Sequence, residues 1–77
     1  MIQINIIKSN TFSLHTVPYF VFIDVKNYGG ITRKEYNLIK RLVNNKELAK
    51  LNINNDDPMI QYICELIIKY RKVIIKE

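Results

Sequence analysis

One histidine, one cysteine and seven carboxylates make up the acids, bases and nucleophiles that these 77 residues offer for chemistry near neutral pH. Nucleophilic catalysis needs a base within reach of the nucleophile and a third group to orient that base. His15 stands in an alternating segment beside Phe12 and Leu14, Cys64 falls among apolar residues far along the chain, and no third group is marked for either. A structural zinc site asks for four Cys or His ligands, and the chain has two in all. Asp56 and Asp57 stand immediately before a helix start, where capping and the helix dipole account for them. Asp24 closes an apolar strand, with Lys26 two residues on to pair with it. The sequence therefore predicts no catalytic residues, no metal and no cofactor, and the chain reads as a non-enzyme.

Binding chemistry is better supplied. Arg33, Lys34, Asn37, Lys40, Arg41 and Asn44 recur at helical spacing and fall within an arc of about 120° at 3.6 residues per turn. Four cations and two amides share that arc with no acid between them, a pattern that suits charge-assisted contacts to carboxylates or phosphates. A second basic group, Lys69, Arg71, Lys72 and Lys76, gathers near the carboxyl end. Twelve Lys and Arg against seven Asp and Glu leave a net charge of +5, which steers the chain towards acidic proteins or nucleic acid.

The stretch YGGITRKEY, residues 28 to 36, precedes this basic arc and has the outline of a phosphate cradle. It contains neither GxGxxG nor GxxxxGK[ST]. Thr32 and Glu35 have the spacing of a capping box, which would occupy N–H groups that an anion needs, and Ile31 and Tyr36 have that of a hydrophobic staple. Gly29 and Gly30 permit a positive φ where the chain leaves the sheet. A plain entry from strand to helix is the expectation.

The elements that must position the basic arc follow from periodicity. Ile2, Ile4 and Ile6 alternate with Gln3 and Asn5 as in a strand with one buried face; Thr11 to Thr16 alternates again; Tyr19 to Val25 is nearly continuous in apolar residues, as an inner strand is. Helices are expected at 32–44, at 46–52, where Glu47 three residues after Asn44 marks a second cap, and at 57–72, where Asp57 followed by Pro58 marks the start. Residues 73–77 read equally as continued helix, strand or tail. The fold class expected is α+β, one domain over 1–77: a small antiparallel sheet of two or three strands in 1–27, followed by two main helices packed on one side of it.

The last helix is apolar over a wide arc that includes Ile60, Cys64, Ile67 and Ile68. Either it lies between the sheet and another helix, or those residues meet a second copy in a homodimer. The cysteine has no partner for an internal disulfide, and the opening residues show no secretory leader, so cytoplasm is the expected location, that of the host cell if a phage encodes the chain. With 48% hydrophobic and 25% charged residues intermixed, no membrane association is expected.

Thr32, Arg33, Glu35 and the run Asn45 to Ala49 give ITRKEYNLIKRLVNNKELAKLNI a partial likeness: it resembles the helix-turn-helix output domains of response regulators. The helix that would read bases begins Asp56, Asp57, Pro58, Met59, Ile60, acidic and apolar where a major-groove reader carries Arg, Lys, Asn or Gln. The reading preferred is a non-catalytic interaction protein that meets an acidic protein surface or a nucleoprotein complex through the first helix. Small size and a residue usage typical of A- and T-rich codons suit an accessory protein of a phage or mobile element that inhibits a host defence complex. A small basic nucleic-acid-binding regulator is the alternative.

Overall fold

The computed structural model describes residues 2–8, 19–26, 28–70 and 72–77. The strand expected over 11–16, and His15 with it, lie outside the described residues. Strand β1, Gln3–Lys8, pairs antiparallel with β2, Tyr19–Asp24, in the register Ile4↔Ile23 and Ile6↔Val21. Residues Val73–Lys76 form β3, which pairs parallel with β2 at Val21↔Val73 and Ile23↔Ile75. The fold is α+β, with a three-stranded sheet in the order β1-β2-β3. Antiparallel pairing thus holds for β1 with β2, while the sheet as a whole is mixed. The reason is connectivity: between β2 and β3 the chain crosses through the helices, and a strand that returns by such a crossover enters from the same end as its neighbour.

Strand alternation divides the sheet into two faces. Val21, Ile23 and Val25 point into the interior and are fully or almost fully buried, with Ile4, Val73 and Ile75 flanking them. Phe20, Phe22 and Asp24 face the other way; the two phenyl rings meet edge to face at 5.2 Å, and Asp24 holds Lys26 at 3.7 Å. The helices cover the first of these faces.

Helix α1 spans Arg33–Asn44, α2 Lys46–Leu51 and α3 Pro58–Lys69. Each begins on a side-chain cap. The Thr32 hydroxyl accepts from the Glu35 N–H at 3.1 Å and donates to the Glu35 carboxylate at 3.0 Å. Asn45 accepts from the Leu48 N–H at 3.2 Å, and Asp57 from the Met59 N–H at 3.0 Å, with Pro58 in the first turn. Tyr28–Gly30 forms a single 3-10 turn ahead of α1, and neither glycine adopts a positive φ, so the turn is made without the conformations reserved for glycine.

Helix α3 buries Ile60, Ile63, Cys64, Leu66 and Ile67, an arc of about 160° at 100° per residue. That breadth reflects neighbours on several sides: α1 and α2 both lie against α3, and its buried residues share one core with the sheet. The homodimer expected through Ile60, Cys64, Ile67 and Ile68 is therefore corrected. Ile60, Cys64 and Ile67 are interior residues, 2%, 0% and 4% exposed, and Ile68 is half-buried, so they are already covered by this chain's own elements. Burial also pushes the Cys64 thiol above its ordinary pKa, which keeps it protonated and unreactive. The helix ends at Lys69 because Tyr70 is extended, and the chain turns there towards β3.

Candidate interaction surface

The apolar side of α1 fixes where its polar side points. Ile39 and Leu42 are fully buried, with Tyr36, Leu38 and Val43 half-buried beside them, and this anchors the helix on the core. Arg33, Lys34, Asn37, Lys40, Arg41 and Asn44 are all exposed on the opposite side. The helix begins at Arg33 because Thr32 caps it and ends at Asn44 because Asn45 caps α2, so two local signals set the length of the exposed basic arc.

Within that arc the structure separates two groups. Arg33, Lys34, Asn37 and Arg41 line a shallow open groove of about 470 Å³ together with Leu38. Lys40 turns the other way. Its ammonium lies 3.3 Å from the Glu77 carboxylate and 5.4 Å from the centre of the Tyr36 ring, and the Tyr36 hydroxyl donates to the same carboxylate. Lys40 thereby ties α1 to the residue that follows β3. Asn44 is exposed at the end of the helix and does not line the groove.

Electrostatics sharpen this division. Among the described residues, Arg33, Lys34 and Arg41 have no acidic partner within ion-pair distance, whereas Lys26, Lys40 and Lys50 each have one. Three unneutralised cations on one groove are a standing attraction for a polyanionic or carboxylate-rich surface. Leu38 adds an apolar contact at the groove wall. Sequence reasoning left it out because it sits about 40° beyond Lys34 on the helix, outside the cationic arc. An aliphatic residue bordering a cationic arc is the signal that marks such a mixed groove.

The second basic group is not brought together as one patch. Lys69 closes α3 with its ammonium 5.5 Å from the centre of the Tyr70 ring; Lys72 precedes β3; Lys76 sits in β3 across from Asp24; Arg71 lies outside the described residues. Among the described residues no cluster of three or more His, Cys, Asp or Glu is placed to hold a metal ion. No helix among them is long and apolar enough to cross a membrane.

The chain matches no family model, no curated protein and no solved structure. The reading of the groove therefore rests on its own geometry and charge.

Proposed function

We propose that this protein is a non-catalytic interaction module that docks an acidic polypeptide surface in the groove of α1. The observation that carries the proposal is the co-location with Leu38 of three cations, Arg33, Lys34 and Arg41, that have no acidic partner among the described residues. Guanidinium groups can take carboxylates through paired hydrogen bonds, and Leu38 takes an aliphatic side chain, so the groove suits a segment in which acidic and apolar residues alternate. A phosphate backbone has no use for the aliphatic wall. The biological setting we assign is an accessory protein of a phage or mobile element that occupies a host nucleoprotein complex at an acidic protein surface. Small size, residue usage and the basic helix face support that assignment.

The test measures binding of a fluorescent peptide of alternating Glu and Leu, and of a labelled DNA duplex, over a salt series. The wild-type chain should bind the peptide, and Arg33→Glu with Arg41→Glu should weaken it at least tenfold, the equivalent of about 1.4 kcal/mol. Lys40→Ala should leave peptide binding within about twofold, a small energy on the same scale. Unchanged peptide affinity in the double variant would sink the proposal. Tight duplex binding with a steep salt slope, abolished by the same reversals, would replace the acidic polypeptide with nucleic acid.

A further inference from the structure

We infer that the groove of α1 selects an acidic α-helix of another protein, one that carries two carboxylates about two turns apart with an aliphatic residue between them. This rests on the proposed role of the groove as a seat for acidic polypeptide, and extends it to the conformation and spacing of the occupant. All five lining residues belong to α1. They stand in two rows at the i, i+4 interval, with Arg33, Asn37 and Arg41 in one and Lys34 and Leu38 in the other. Rows at that interval are the ridges of a helix surface, and the furrow between two of them is where a ridge of a second helix packs.

The chain does not supply the occupant itself. All seven of its Asp and Glu residues fall among the described residues, and those that form ion pairs engage Lys26, Lys40 and Lys50, not the groove. Helices α1, α2 and α3 carry one acid each, Glu35, Glu47 and Glu65. No helix of a second copy therefore offers two carboxylates on one ridge, and a second α1 would set cation against cation.

Hydrogen-bonding capacity separates a helical occupant from an extended one. Arginine and lysine side chains only donate and leucine does neither, so the carbonyl oxygen of Asn37 is the single side-chain acceptor among the five lining residues. An extended segment laid in the furrow brings a main-chain N–H at every residue, and each one turned inwards needs an acceptor once water is displaced. A helix satisfies its main chain internally and presents side chains alone. Carboxylates on those side chains match a wall of donors.

Spacing then sets the pattern on the partner. Arg33 and Arg41 are eight positions apart, about 12 Å along the axis at 1.5 Å per residue, and Leu38 falls between them. A partner ridge lying in the furrow repeats at the same interval, so its residues i and i+8 meet the two guanidinium groups and i+4 meets Leu38. The occupant carries Glu or Asp at the outer two positions and an aliphatic residue at the middle one. Fully buried Ile39 and Leu42 hold α1 in place, so the ordering cost falls on the partner. Two exposed ion pairs and one aliphatic contact make an association of modest strength that weakens with salt.

Three labelled peptides of about 16 residues, long enough to hold a helix, test this by fluorescence anisotropy against the full chain at low salt. The first places Glu, Leu and Glu at i, i+4 and i+8 in a background of Ala and Gln. The second differs only by proline at i+6, which breaks the helix on the side away from the contact row and keeps every charge. The third sets Glu, Leu and Glu at i, i+2 and i+4 among Thr residues, the same charges on a chain that favours extension. The first should bind at least tenfold more tightly than either of the others, and its helical circular dichroism should increase on mixing. Charge reversal checks the spacing: Arg33→Glu with Arg41→Glu should lose the first peptide and accept its counterpart with Lys at i and i+8. Should that double variant unfold, the comparison of peptides on the wild-type chain still decides. Equal binding of the second or third peptide overturns the helical occupant and leaves acidic docking standing. No binding by any of the three also overturns it, and the alternating Glu and Leu peptide, measured alongside, reports separately on the docking.

Discussion

Glu77 takes a hydrogen bond from the Tyr36 hydroxyl and stands beside the Lys40 ammonium, so two residues of α1 converge on one carboxylate. The Tyr36 bond chiefly, and the Lys40 bond and charge after it, hold the Glu77 pKa below its ordinary value. In the unfolded chain the ordinary value returns, so the contribution to stability is present in full above that value. It is lost as pH falls through the lowered one. Thermal melts of wild type and Glu77→Gln from neutral pH to about pH 3 should therefore converge: wild type melts higher at neutral pH and the gap closes in acid. A gap independent of pH would show that Glu77 is not ionised in this contact. The same node explains what was hidden at the level of single residues. Lys40 and Arg41 are adjacent cations on one helical arc, and nothing local distinguishes them; only the return of the chain to Glu77 assigns Lys40 to a tie within the fold and leaves Arg41 to the groove.

Elements were legible where their causes are local. Thr32 with Glu35 and Asp57 with Pro58 act within three residues, so the starts of α1 and α3 can be read without knowing what the helices pack against, whereas the spacing of Asn44 and Glu47 points to a cap at Asn44 and the structure places the cap of α2 one residue later, at Asn45. The basic arc is legible for the same reason, being set by position on a single helix. Strand β3 is not, because VIIK carries no turn signal or alternation and becomes a strand only by pairing with Val21 and Ile23. The breadth of the apolar arc on α3 was legible too, but its cause was not: a helix between neighbours and a helix at a dimer contact present the same sequence. Capping carries a direct prediction. Thr32→Ala removes the acceptor for the Glu35 N–H and should lower stability by about 1 kcal/mol in chemical denaturation. It should leave peptide binding by Arg41 unchanged, and an effect on binding instead of stability would mean that Thr32 belongs to the contact surface.

At the scale of the whole molecule, surplus charge and surplus apolar surface lie on different elements. The uncompensated cations of the groove are on α1, which leans on β3, while the uncovered isoleucines are on β1 at the opposite edge of the sheet. This division could not be read from the sequence, because the placement of β1 and β3 on opposite edges depends on β2 pairing with both.

The parallel pair has a bearing on time as well as on shape. Val21 meets Val73, 52 positions later, whereas the caps and turns that build the helices close over a few residues. Bringing such distant segments together forfeits chain entropy before any ladder bond compensates it, and this delays the step. The last strand should dock after the rate-limiting barrier. Stopped-flow refolding checks this order: Val73→Ala should speed unfolding and leave the refolding rate nearly unchanged, whereas Leu42→Ala should slow refolding. The reverse pattern would make the sheet the nucleus.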